Sequence, residues 1–162
     1  KSHAAGAGLE ELLAAAGEQW AERAGGTSGA LWGAAVTAIG KTLGSKDSYT
    51  SADAAAAVNA LRDAIVTLGK AEAGDKTMVD ALLPFADTFA KAIDDGGSLA
   101  ASLRAAAEAA AKAADATAEL SPKKGRARPL AEKSLGHPDP GAVSFGLIAR
   151  RVADYAATIE SS

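Results

Sequence analysis

Apolar residues recur along this chain every three or four positions, the repeat of a helix with one buried face. Leu9, Leu12, Leu13, Ala16 and Trp20 form the first series, and Trp32, Val36, Ile39 and Leu43 the second. Val58, Leu61, Ile65 and Leu68 form a third. Met78, Leu82, Phe85 and Phe89 form a fourth, in which Pro84 lacks a backbone donor and is expected to kink the helix. An alanine-rich fifth series runs from Leu99 to about Leu120, and Ile148, Val152, Tyr155 and Ile159 form the last. No stretch sustains the alternation of a half-buried strand. The pattern predicts an all-α single domain, residues 1–162, with about six helices.

Stop and start signals divide the series. Ser51 is read as the cap of the third helix, without a capping box because Ala54 stands three positions on. Asp94-Asp95-Gly96-Gly97 closes the fourth helix, and Ser98 caps the fifth. Short loops between long helices favour antiparallel neighbours, hence an up-and-down bundle or helical barrel. The exception is residues 121–141, a connection rich in Pro, Gly, Lys and Arg. Structureless loops of that length are uncommon in compact domains and are usually functional or disordered.

Composition sharpens the picture. Hydrophobic residues make up 48% of the 162 positions but aromatic ones only 4%, with alanine supplying much of the difference. Alanine is the best helix former and lets helices pack closely. A net charge of −3 and a pI near 5.4 argue against nucleic acid as a partner of the whole chain. The absence of cysteine excludes disulfides, thiolate catalysis and cysteine-bound metals. With His3 and His137 as the two histidines, a multi-histidine metal site is excluded as well. No run approaches the roughly 20 apolar residues that span a bilayer. No signal peptide is evident either, so a cytoplasmic protein without membrane contact is expected. Lys1 in place of methionine fits a processed end, a tag remnant or a missing upstream segment.

Four segments carry candidate chemistry. Gly25-Gly26-Thr27-Ser28-Gly29 leads into the second helix, where amide groups, the helix dipole and two hydroxyls suit an anion. It is not a P-loop, because no Gly-Lys-Ser/Thr ending and no preceding strand exist. Gly74-Asp75-Lys76-Thr77-Met78 opens the fourth helix in the same manner, with Asp75 as its cap and Lys76 either reaching a phosphate or lying in solvent. Lys123, Lys124, Arg126 and Arg128 place four cations together in an acidic chain, able to clamp phosphates. Gly136-His137-Pro138-Asp139-Pro140-Gly141 delivers the chain rigidly into the last helix. Taken singly, each reads at least as well as a cap, a turn or a solvated loop. His137 has no carboxylate or nucleophile partner in sequence, so no catalytic residue is assigned.

Taken in order, the segments say more. GGTSGALWGAA, GDKTMVDALLPFADTF and KKGRARPLAEKSLGHPDPGAVS together resemble the nucleotide-binding subunit or C-terminal domain of the dihydroxyacetone kinase family, from about Ala24 to the chain end. The resemblance implies an eight-helix antiparallel barrel that binds ADP or ATP at one end. It assigns nucleotide contacts to Thr27, Ser28, Gly74, Leu83, Arg126, Asp139, Pro140 and Gly141. After Arg126 the chain reads Ala-Arg-Pro-Leu where the family more often has Ala-Ser-Tyr-Leu.

The family's paired-aspartate segment, which holds two magnesium ions, has no counterpart before Gly25. No metal ligand is therefore assigned here. Magnesium is expected in the complete protein, together with upstream helices that this chain lacks. The implied activity is phosphoryl transfer to dihydroxyacetone or a similar ketose held by a partner subunit or domain. In some members a phosphotransferase-system protein recharges the bound nucleotide. The alternatives are a related kinase for a tetrulose or a partner-bound fatty acid, and a regulatory module that senses nucleotide.

Overall fold

The computed structural model describes residues 6–124 and 131–161. The regular structure among them is all helical: α1 (Leu9–Ala24), α2 (Gly26–Leu43), α3 (Ser51–Gly69), α4 (Val79–Asp94), α5 (Leu99–Ala116), a 3₁₀ turn (Thr117–Glu119), the short α6 (Ala131–Ser134) and α7 (Pro140–Glu160). The all-α expectation holds, and the six apolar series become α1 to α5 and α7. Arg126 and Arg128 lie outside the described residues. Packing divides the chain into two compact units, residues 1–70 and 71–162.

In the first unit, α1 and α2 form an antiparallel hairpin joined by Gly25 alone. Glycines set their spacing. A Cβ on Gly17 would lie 2.6 Å from the Gly33 carbonyl oxygen, and one on Gly33 equally close to the Gly17 carbonyl oxygen. Farther along, a Cβ on Gly40 would meet Leu13 Cβ at 2.9 Å. Backbones that approach this closely leave no room for side chains at the crossing, and dispersion between them replaces large-residue burial. α3 then packs back on α2, with Gly69 facing Leu31.

The start of α3 differs from the sequence expectation. Thr50, not Ser51, is the N-cap, and a capping box is present. Asp53 N–H donates to Thr50 Oγ1 (3.2 Å), and Thr50 N–H donates to Asp53 Oδ2 (2.9 Å). The threonine holds the extended backbone that a cap requires, and this places a carboxylate at the third helical position. Lys46, followed by the Thr50 amide, holds the Asp53 carboxyl down at about 2.

In the second unit, α4 continues through Pro84 and turns into α5 at Gly96-Gly97, where Gly97 N–H donates to the Ala92 carbonyl. Ser98 caps α5 as expected. α7 runs antiparallel to α5, with Gly146 against Ala111, and Glu160 on its last turn accepts from Ala100 N–H and Ser98 Oγ, both at 2.8 Å. α4 and α7 therefore run side by side in the same direction. Phe85 packs edge-on against Phe145 with ring centres 5.4 Å apart, and buried Leu82, Phe89, Ala106 and Ala110 complete the core.

Replacing Gly33 with alanine should lower unfolding free energy by about 1–2 kcal/mol, because the clash with the Gly17 carbonyl outweighs the gain in helix propensity. Urea denaturation measures this, and an unchanged or higher midpoint would contradict the close approach.

Candidate nucleotide site

The second unit brings the starts of α4 and α7 to one place. Residues 71–78 form a tight turn ahead of α4, in which Gly74 (φ +85°) and Lys76 (φ +60°) take left-handed backbone. Asp80, on the first turn of α4, reaches back to accept from Gly74 N–H (2.6 Å) and Thr77 N–H (2.7 Å). Asp75 is not the helix cap. α4 begins four residues later, and the Asp75 carboxylate closes its own turn by accepting from Glu72 N–H at 2.9 Å. That bond, then the neighbouring Lys124, holds the Asp75 carboxyl below its usual range despite burial. Lys124 Nζ lies 3.3 Å from the same carboxylate.

Asp139 is the N-cap of α7, accepting from Ala142 N–H at 2.8 Å, with Pro140 as the first helical residue. Its own amide donates to Thr117 Oγ1 at 2.7 Å, and the buried Thr117 hydroxyl donates to the Ala114 carbonyl at 2.6 Å. Gly141 permits the approach to α4. A Cβ there would lie 2.9 Å from Asp139 Oδ2 and 3.4 Å from Met78 Cβ. Desolvation pushes the Asp139 carboxyl above its usual range, opposed by the Ala142 and Gly141 amides; nearby Asp80 adds to the rise and Lys76 counters it.

Of the residues assigned from sequence, Gly74, Asp139 and Gly141 thus gather at this end of the second unit, with Lys123 Nζ about 4.0 Å from where a Gly74 Cβ would stand. Pro140 is exposed beside them, and Leu83 is half-buried on α4. The Gly74 amide is already engaged by Asp80, so this glycine contributes shape and access rather than a free donor. Lys76, read from sequence as phosphate-seeking or solvated, is neither: it is 3% exposed and donates from Nζ to the Ser134 carbonyl at 2.6 Å. Asp80 and Thr117 were missed. Thr77-x-x-Asp80 is a readable capping-box spacing, whereas nothing in the alanine-rich run marks Thr117.

In the first unit, Thr27 and Ser28 are exposed on the first turn of α2. The N-cap is Gly25, and no side chain caps this helix start. Gly25 and Gly26 take φ near +60°, with no atom within 4 Å of a Cβ built on Gly25. Uncapped amides and two hydroxyls at a helix start suit an anion.

Among the described residues no group of three or more histidines or carboxylates converges to hold a metal ion. They offer no ligand set for the magnesium that the family resemblance implies. No helix among them is long and apolar enough to cross a membrane. A hollow of about 420 Å³ near Ser98, Arg104 and Glu160 lies at the opposite end of α5 from Asp139 and shares none of these groups.

The starts of α4 and α7 and the glycine turn before α4 thus meet at one end of an all-helical unit. The family model described as "DAK2 domain" matches residues 1–154, and the chain belongs to this family. It is 52% identical over 149 residues to D-erythrulose kinase of Mycolicibacterium smegmatis, covering 92% of this chain and 26% of that protein. L-erythrulose kinase of Pectobacterium atrosepticum is 48% identical over 142 residues, covering 88% and 24%. The ADP-binding subunit DhaL of the PEP-dependent dihydroxyacetone kinase of Escherichia coli is 32% identical over 120 residues, covering 74% and 57%. The chain thus spans about a quarter of the erythrulose kinases it matches. Among solved structures, the dihydroxyacetone kinase of C. freundii superimposes with a TM-score of 0.66 at 30% identity, over 91% of this chain and 24% of that one.

The linkage at Asp139 has a defined sign. A carboxyl raised on folding binds protons more tightly in the folded state, so it weakens the fold as pH rises through the interval above its ordinary 3.8. Asparagine keeps the cap without the charge. The stability of Asp139→Asn relative to wild type should therefore increase from acid to neutral pH. Chemical denaturation across that range tests this, and a flat or falling difference contradicts the desolvated carboxylate.

Proposed function

We propose that this chain is the nucleotide-binding part of a ketose kinase, holding ADP or ATP for phosphoryl transfer to a sugar carried by a partner subunit or domain. The observation that carries the reading is the meeting of the α4 and α7 starts around Gly74, Asp139 and Gly141, with Lys123 beside them. The positive ends of the two helix dipoles and the Lys123 ammonium favour a diphosphate there. In the same reading, Thr27, Ser28, Leu83, Pro140 and Arg126 complete the nucleotide contacts.

Transfer of this kind asks the protein for positioning and charge neutralisation more than covalent chemistry. The bond between the terminal phosphorus of ATP and its bridging oxygen breaks as a ketose hydroxyl oxygen bonds to that phosphorus. ADP leaves with the bridging oxygen, and the hydroxyl proton passes to a base of the partner or to water. The ketose partner supplies whatever orients that hydroxyl, and the present chain supplies the nucleotide.

The erythrulose kinases it resembles at 52% and 48% identity favour a four-carbon ketose over dihydroxyacetone. The substrate-binding partner is in either case a dihydroxyacetone kinase-type subunit or domain. The relationship to DhaL supports bound ADP as one mode of use.

Calorimetry with Mg–ADP should show binding by the chain. The double replacement Thr27→Ala with Ser28→Ala should weaken it by about 1.5–3 kcal/mol for each hydrogen bond lost to the charged phosphates. Equal affinity of the two proteins would remove the α2 start from the site. With ATP and the substrate-binding partner, erythrulose should be phosphorylated faster than dihydroxyacetone. Nucleotide binding without turnover of any ketose would leave a regulatory module instead.

A further inference from the structure

Lys76 combines three properties that do not occur together by default. Its backbone lies in the left-handed region, φ +60°, which glycine adopts without strain and a lysine rarely does. Its side chain is 3% exposed although lysine is almost never fully buried without a partner. Its ammonium donates to a backbone carbonyl 58 positions away, that of Ser134, at 2.6 Å. Two residues earlier the same turn uses glycine for its other left-handed position, Gly74. Glycine at position 76 would relieve the backbone, whereas only the lysine side chain supplies the long-range hydrogen bond.

The carbonyl it holds belongs to the approach to α7. The Ser134 oxygen also accepts from His137 N–H at 3.2 Å, Gly136 N–H donates to the Ala118 carbonyl at 3.0 Å, and Asp139 N–H donates to Thr117 Oγ1. These bonds tie the approach to the end of α5. Lys76 ties it to the turn before α4. Its charge also acts on Asp139, opposite in sense to that of Asp80.

We propose that Lys76 is a positioning residue, whose buried ammonium fixes the approach to α7 against the turn before α4 and so sets the spacing of the two helix starts around the nucleotide phosphates. This rests on the nucleotide-binding reading above, which gives Lys76 no contact with the ligand. The lysine acts through the Ser134 carbonyl and through the placement of Asp139, Pro140 and Gly141.

The test compares wild type with Lys76→Gly, which accepts the left-handed backbone and loses the ammonium, and with Lys76→Arg, which keeps a cation. Hydrogen exchange is read without ligand at the amides of Gly136, His137 and Asp139, and in the core at Phe89 and Ala106. In Lys76→Gly the first three should exchange roughly tenfold faster or more, with the core amides within about twofold of wild type. The ADP dissociation constant should rise about tenfold. Lys76→Arg should recover most of both effects.

Unchanged exchange at the three amides overturns the tether, and faster exchange with unchanged ADP affinity overturns the positioning role. Equal acceleration in the core, or failure of Lys76→Gly to fold with full recovery of stability but not of ADP affinity by arginine, reduces the residue to a stability role. If wild type binds no ADP, the nucleotide reading fails and the positioning role with it, while exchange still decides the tether.

Discussion

Asp139 joins two helix ends that have opposite needs. A helix start carries amides without acceptors, and a helix end carries carbonyls without donors. The Asp139 carboxylate serves the start of α7, while its amide is held by Thr117, whose hydroxyl serves the Ala114 carbonyl at the end of α5. One chain of hydrogen bonds thus fixes where α7 begins relative to where α5 stops. Gly141 lets that beginning come against Met78 at the start of α4. Together with the Lys76 bond to Ser134 and the Phe85–Phe145 contact, this connection relates the two helix starts.

The cost of this arrangement is a carboxylate drawn out of water beside a second one. Asp80 is held by two backbone amides and adds its repulsion, and Lys76 opposes it. Buried charges persist when they are paired or hydrogen-bonded, and all three groups here meet that condition within the protein. The precision comes from small residues elsewhere. Alanine on α5 and glycine on α7 let these helices approach closely, so the few large side chains, Phe85, Phe89 and Phe145, fill a core with little freedom to slide.

Helical class and the six long helices were legible because apolar spacing is a local property, while the short α6 was not. The cap at Ser98 and the turn into α7 were legible for the same reason. The error at Thr50 came from counting the cap one residue late, which hid Asp53 at the third helical position. Asp75 was misread because its carboxylate bonds backward to Glu72 rather than forward into α4. Lys76 and Thr117 were illegible in a stronger sense. Their roles depend on Ser134 and Asp139, 58 and 22 positions away, and no local pattern encodes such pairings. The placement of Gly74, Asp139 and Gly141 together was implied by motif order within the family resemblance, not by periodicity.

The division of labour in the proposed kinase explains why this sequence says more about the nucleotide than about the sugar. Phosphate recognition uses backbone amides, glycine turns and lysines, all of which leave local traces in a sequence. Discrimination between a three-carbon and a four-carbon ketose depends on how a pocket accommodates one further hydroxyl-bearing carbon and pairs its hydroxyl. In the proposed arrangement that pocket belongs to the partner. Selection for the sugar would then act on residues outside this chain, while the helix starts here answer to a phosphate group common to every such kinase. Similarity to the erythrulose kinases therefore bears on the sugar only through shared descent, whereas in the proposed reading the nucleotide contacts lie on this chain itself.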